Sequence, residues 1–308
     1  MATIQLAIVG VGKIARDQHL PAIAGNANFQ LIAAASHHGQ VEGIQNYPSI
    51  EAMLAAQPQI QAVSLCMPPQ ARYRAAQVAI AAGKHVFMEK PPGATLAEVQ
   101  DLQAQAQRAG VTLFASWHSR YAPAVEAARE FLASTRVRAM RVIWKEDVRR
   151  WHPGQDWIWQ AGGLGVFDPG INALSIVTHI LPQRPFVTAA TLEFPANKDA
   201  PIAAALQFSD ALGLQMQAEF DWRQTGPQSW DIEVETEAGP LLLGEGGSRL
   251  SINGVAQACG PEQEYPQLYQ HFAELVHSGR SDVDLAPLQL VADAFMLGRR
   301  VAVESFEW

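Results

Sequence analysis

Residues 4–10, IQLAIVG, form a short apolar run that leads straight into Gly10-Val11-Gly12-Lys13-Ile14-Ala15. No other feature of the chain constrains its fold as tightly. A run of this length bounded by glycine reads as a buried parallel strand. The pattern G-x-G-x-x-A after a strand is one form of the turn that holds a dinucleotide pyrophosphate. Gly10 permits the tight turn, Gly12 lets the backbone approach the pyrophosphate, and Ala15 lets the helix pack close to the strand. Lys13 and Ile14 fall in the first helical turn, where N–H groups and the helix dipole face the phosphates.

The next hundred residues repeat the same theme. Apolar runs at 31–36, 62–67, 85–90 and 111–116 alternate with alanine-rich stretches at 49–57, 70–83 and 95–109 that suit helices. Strands alternating with helices predict a doubly wound parallel sheet of the Rossmann type. After that the pattern changes. A helix is expected over 121–134, then alternating stretches at 137–148, 187–194, 202–208, 213–221, 230–236 and 248–252, interrupted by a helix over 171–181. The expected fold is α/β: residues 1–119 form the dinucleotide domain. Residues 120–308 form an α+β domain on an open, mostly antiparallel sheet, with a final helix near 287–303 free to pack back on the first domain.

Composition narrows the function classes. The 308 residues are 48% hydrophobic and 17% charged, with a formal net charge of −8. That is a globular composition, and without a basic run it offers no surface for nucleic acid or an anionic membrane. No apolar stretch reaches the length of a membrane span, and MATIQLAIVG does not read as a secretory leader. Cys66 and Cys259 are expected to be unpaired, in a reducing, cytoplasmic setting.

At the end of the second strand an NAD-binding domain normally carries a carboxylate for the adenosine 2′-hydroxyl. Here the residues are Ala35-Ser36-His37-His38. A hydroxyl and two imidazoles can hydrogen-bond a 2′-phosphate, which a carboxylate would repel. NADP is therefore the expected cofactor, with NAD also accepted. Cys66, Pro68 and Pro69 close a later strand at the carboxyl edge of the sheet. They are expected either to line the cofactor site or merely to end the strand.

Glu89-Lys90-Pro91, together with the glycine turn and the block Gly162-Gly163-Leu164-Gly165-Val166-Phe167-Asp168, resembles the glucose–fructose oxidoreductase/inositol dehydrogenase family. The resemblance covers the whole chain. The stretches 144–159 and 162–182 are similar to its sugar 1-dehydrogenase branch. The resemblance implies an NAD(P)-dependent enzyme that oxidises the C1 hydroxyl of L-arabinose, and also of D-galactose, to the lactone, with D-galactose as the main substrate the alternative. It also implies that Lys90 hydrogen-bonds the reacting hydroxyl beside the nicotinamide and that Glu89 bonds the cofactor or its loop.

Many family members place a histidine four residues after the aspartate, where this chain has Asn172. A neutral amide is no general base. The proton is therefore expected to pass to Asp168, with Lys90 or water as alternatives, and Asn172 to orient the substrate. A plainer role for Asp168 is an N-cap before Pro169.

Six of the eight tryptophans lie between Trp144 and Trp230. Aromatic faces suit the C–H faces of a sugar, so His118, Glu146, Trp151, His152 and Trp230 join Lys90, Asp168 and Asn172 as candidate substrate contacts. Neither His118 nor His152 has partners at metal-ligand spacing, so no metal is expected. A homodimer is implied by the resemblance, and a sugar or dinucleotide sensor without catalysis is the rival reading.

Overall fold

The apolar runs of the first part become parallel strands in the computed structural model, which describes residues 3–308. They are β1 (Ile4–Val9), β2 (Phe29–Ala35), β3 (Gln45–Tyr47), β4 (Ala62–Leu65), β5 (His85–Met88) and β6 (Leu113–Ala115), in the order β3-β2-β1-β4-β5-β6. That order reverses direction beside β1, the place where doubly wound sheets bind dinucleotides. Leu6, Ile8, Val63, Leu65, Phe87 and Met88 are fully buried, as strands covered on both faces require.

Four helices connect these strands. α1 spans 13–24 and is π-wound over Ala15–His19, and α2 is Ile50–Ala56, capped by the Ser49 side chain. α3 is Pro69–Ala81 and α4 is Leu96–Ala109. Thr95 and Glu98 form a reciprocal capping box at the start of α4.

The second part contains α5 (Val125–Ala133), the one-turn α6 (Val148–Trp151) and α7 (Phe167–Ile180). Two more helices follow: α8 (Glu264–Ser278) and α9 (Ala286–Leu297). Its strands are β7 (Val137–Lys145), β8 (Phe186–Pro195), β9 (Ala203–Ser209), β10 (Gln215–Asp221), β11 (Ser229–Thr236), β12 (Gly239–Gly244), β13 (Arg249–Ile252), β14 (Val255–Ala256) and β15 (Gly298–Val303). They form one mixed sheet in the order β14-β13-β12-β11-β7-β10-β9-β8-β15. The β7–β10 and β8–β15 pairs are parallel and the rest antiparallel.

Strand alternation in β10 buries Met216, Ala218 and Phe220 on one face. On the other face Glu219 pairs with Arg141 at 2.9 Å and Lys145 at 2.8 Å.

Four sequence expectations need correction. The helix expected over 121–134 is a 3-10 turn at His118–Tyr121 followed by α5, because Pro123 disfavours helix in the residue before it. The helix near 171–181 begins earlier, at Phe167. The helix near 287–303 stops at Leu297. Gly298 follows, and Arg299–Val303 pair with Thr191–Pro195 as a strand.

The last correction concerns the domains. The first compact unit runs to His118 and regains residues 264–285, and the second holds 119–263 and 286–308. The helix that returns to the dinucleotide unit is therefore α8, while the final helix α9 stays in the second unit. Tyr265, Leu268, Tyr269 and Phe272 make a buried stripe on α8 at helical spacing. Tyr269 stacks on Phe87 of β5 at 5.0 Å, and Phe272 stacks on Phe29 of β2 at 5.9 Å.

Candidate active site

In the first unit the carboxyl ends of β1, β2, β4, β5 and β6 gather the residues singled out by sequence. Gly10 has φ +88°, and a Cβ there would lie 2.7 Å from the Met67 amide nitrogen. A glycine is thus required by conformation and by space. Around Gly12 the protein sets no such limit, since a Cβ would meet no atom within 4 Å. That open space lets the Gly12 backbone come close to a pyrophosphate, so the turn fits one.

Lys13 and Ile14 stand exposed in the first turn of α1, where Lys13 pairs with Asp17. The Ser36 hydroxyl oxygen accepts from the amides of Val11 (3.2 Å) and Gly39 (3.3 Å). It ties the glycine turn to the end of β2 and retains its own proton for donation. His37 and His38 are exposed beside it. Arg16 was not singled out by sequence, yet its guanidinium donates to the Gln40 carbonyl at 3.3 Å and so lies against this loop. Its signal was a cation one turn into the helix after the glycines.

Cys66 is buried, and burial, then the Glu89 charge, pushes its thiol pKa well up. Pro68 and Pro69 do end the strand, and Pro69 is the first residue of α3, where a missing N–H costs nothing.

Lys90 is half-buried just past β5, and the Lys90–Pro91 peptide is cis. Glu89 is turned inward instead. Its carboxylate accepts from Tyr265 Oη (2.7 Å) and the Lys90 amide (2.7 Å), and it meets His19 Nε2 at 3.1 Å. Burial raises its pKa, but the His19 bond and charge outweigh that and bring it to about 2. Glu89 therefore bonds its own loop. His19 in turn meets Tyr269 Oη at 2.7 Å, and Tyr269 meets Ser64 Oγ at 2.9 Å.

Buried Arg72 donates to the carbonyls of Met67 and Pro91, joining the two loops. His118 stacks on Tyr265, and its Nδ1 lies 2.5 Å from Glu264. Burial lowers the His118 pKa, but Glu264 more than offsets it and leaves it raised. Neither Arg72 nor the α8 residues could be tied to the site from sequence, since nothing local marks them.

In the second unit the tryptophan-rich stretch closes around Asp168. Asp168 is buried in the first turn of α7, and its Oδ2 lies 3.5 Å from His152 Nε2. It is not the N-cap. The cap position is Val166, with no side-chain cap bond. Asn172 lies one helical turn on, on the same face.

Gly165 sets up this start. Its φ is +56°, a Cβ would lie 2.3 Å from the Pro201 carbonyl, and its own carbonyl accepts from the Asp168 amide at 2.8 Å. His152 packs against Trp222, with ring centroids 5.3 Å apart. Trp151 meets Trp230 edge-on at 5.6 Å and donates to Gln228 at 3.3 Å.

Glu146 is buried and accepts from both Trp222 Nε1 (3.2 Å) and Trp230 Nε1 (2.9 Å). Its carboxylate holds two indoles of the wall. Trp222 was missed by sequence reasoning, because a single tryptophan at a strand end reads as core.

Among the described residues no group of three or more His, Cys, Asp or Glu is placed to hold a metal ion, and no helix is long and apolar enough to cross a membrane. Cys66 and Cys259 are free thiols.

Comparison with known proteins fits this picture. Residues 4–116 match the GFO/IDH/MocA group, an oxidoreductase family with an NAD-binding Rossmann fold. Galactose 1-dehydrogenase of Pseudomonas fluorescens is 47% identical over 306 residues, which cover 99% of each chain. The chain belongs to the GFO/IDH/MocA oxidoreductase family. The crystal structure of D-galactose-1-dehydrogenase from Rhizobium etli resembles this oxidoreductase with TM-score 0.96 at 69% identity, covering 100% of this chain and 99% of the other. The 3-ketoreductase KijD10 of Actinomadura kijaniata, solved with NADP, shares the fold at TM-score 0.83 and 18% identity, over 98% and 99% of the chains.

Proposed function

We propose that this oxidoreductase oxidises the C1 hydroxyl of a pyranose with the D-galactose arrangement at C2, C3 and C4 to the lactone, using NADP in preference to NAD. The observation that carries the reading is the buried Asp168, paired with His152 at 3.5 Å beside the wall of Trp151, Trp222 and Trp230. It stands in a chain alignable end to end with galactose 1-dehydrogenases. L-arabinose shares the three hydroxyls and differs from D-galactose only in lacking the hydroxymethyl at C5. Both sugars are therefore assigned as substrates.

A bound nicotinamide supplies the hydride acceptor. The chain's own residues do the rest. Lys90 hydrogen-bonds the reacting oxygen and stabilises charge that develops on it. Asp168 takes the hydroxyl proton as the C1 hydride leaves, and general base catalysis of this kind is worth roughly 10²- to 10⁴-fold. Asn172 donates to a neighbouring hydroxyl, and Trp151, His152, Trp230 and His118 shape the sugar site. The glycine turn, with Lys13, Ile14, Cys66, Pro68 and Pro69, would hold the dinucleotide. Ser36, His37, His38 and Arg16 would meet its 2′-phosphate.

The test is reduction of NADP, followed at its nicotinamide absorbance, with L-arabinose, D-galactose and D-glucose. D-glucose inverts C4, and one unpaired buried polar group costs about 1–3 kcal/mol, so its kcat/KM is expected to fall at least about fivefold below the other two. Equal kcat/KM for all three overturns the sugar assignment, and no turnover with any aldose favours a sensor. Asp168→Asn is expected to lower kcat far more than cofactor affinity.

A further inference from the structure

We propose that Phe306 and Trp308 are positioning residues that clasp the sugar-reading segment 149–159 and set how well it binds its substrate. The inference rests on the sugar site assigned to Trp151 and His152. Segment 149–159 has little structure of its own. Between the single turn of α6 and the four-residue 3-10 turn Asp156–Trp159 lies Gly154 at φ +67°. Turns this short do not hold themselves in water, so tertiary contacts must fix the segment.

Residues 306–308 supply such contacts at both ends of it. At the first end, Arg149 lies 4.4 Å over the Phe306 ring, and its guanidinium donates to the Glu307 carbonyl at 2.5 Å. At the far end, Trp308 Nε1 donates to Asp156 Oδ1 at 2.7 Å, and the Phe306 ring packs on Trp159 at 4.9 Å.

The clasp is itself anchored. The Phe306 amide donates to Asn197 Oδ1, and the Phe306 carbonyl accepts from Asn197 Nδ2, both at 2.9 Å. Asn197 lies just past β8, so a rigid sheet bears the load. Phe306 is buried, whereas Glu304, Ser305 and Glu307 around it are exposed. From Trp159 the packing continues to Trp222 at 5.2 Å, and from Trp222 to His152 at 5.3 Å. Phe306 thus stands two rings from the imidazole that faces Asp168. Displacements well under a side-chain length at such a site cost much of its binding.

The variants are Phe306→Ala, which empties the clasp, and Trp308→Phe and Asp156→Ala, which each remove the bond to Trp308 at a more exposed position. Each is assayed for kcat and KM with D-galactose and with NADP, for melting temperature, and for trypsin cleavage at Arg149 and Arg150. Phe306→Ala is expected to raise the D-galactose KM about tenfold while the NADP KM stays within about twofold. Trp308→Phe and Asp156→Ala should each raise it about threefold, and the double variant no further.

A folded Phe306→Ala with unchanged D-galactose KM, or with both KM values raised alike, overturns the clasp. Should Phe306→Ala fail to fold, the Trp308 and Asp156 pair decides by the same measure. If the wild-type protein turns over no aldose, the sugar assignment falls and the cleavage rate alone decides. Faster cleavage in the variants than in wild type supports the clasp, and an equal rate overturns it.

Discussion

At the residue scale, two side chains tie loops of the first unit together. Ser36 caps the glycine loop by accepting from the amides of Val11 and Gly39. Ser36→Asp keeps an acceptor in place and adds a negative charge where the 2′-phosphate is assigned. The NADP KM is expected to rise about tenfold or more, while that for NAD changes far less, because only one cofactor carries the repelled phosphate. Equal losses for the two cofactors in steady-state kinetics would remove Ser36 from the phosphate site.

Glu89 is a buried carboxylate whose pKa falls from 4.5 to about 2 on folding. A lowered pKa means that the folded state favours the ionised form. The stability it contributes is complete above the unfolded value and is lost as pH falls from about 4.5 toward 2. Glu89→Gln is expected to cost on the order of 3 kcal/mol at neutral pH, as for breaking a buried pair. Denaturant unfolding of both proteins between pH 7 and 3 checks this. The difference should shrink on the acid side, and a constant difference would deny Glu89 its charge.

At the element scale, the start of α7 decides where Asp168 sits. Aspartate before proline suits a cap, and that was a legible alternative in the sequence. The helix instead begins two residues earlier than such a cap requires, at Phe167, because Gly165 turns the chain with a positive φ against the Pro201 carbonyl. Gly165→Ala adds a Cβ 2.3 Å from that oxygen. A loss of about 2–4 kcal/mol is expected, combining left-handed strain with a clash against backbone. Because the Gly165 carbonyl accepts from the Asp168 amide, kcat should fall in the protein that still folds. A thermal melt and an assay suffice, and an unchanged melting temperature would show that the turn relaxes freely.

At the scale of the whole molecule, the first unit is built from two separate stretches of chain, and the outer face of the large sheet carries the Arg141–Glu219–Lys145 ladder. The commonest soluble homo-oligomer is a twofold dimer that joins the same patch of each copy. A homodimer through that face is the expected assembly, with a light-scattering mass twice that of the chain. Glu219→Lys sets three cations together and should shift the equilibrium toward monomer. A wild-type mass that stays monomeric at every concentration excludes the assembly.

The sequence alone determined the dinucleotide half. Strand, glycine turn and helix are consecutive, so local sterics and hydrophobic period specify them without knowledge of any partner. The alternation of the second sheet was legible for the same reason. Tertiary structure alone decided the rest. Arg299–Val303 became a strand because β8 offered an unpaired edge, and a short apolar alternation has no preference strong enough to declare itself. Helix α8 joined the first unit because the aromatic faces of Phe29 and Phe87 matched its stripe. Glu146 holds two indoles that lie 76 and 84 residues further along the chain, Trp222 just past β10 and Trp230 in β11. Pairings at that distance depend on which surfaces meet after folding, and no local pattern encodes them.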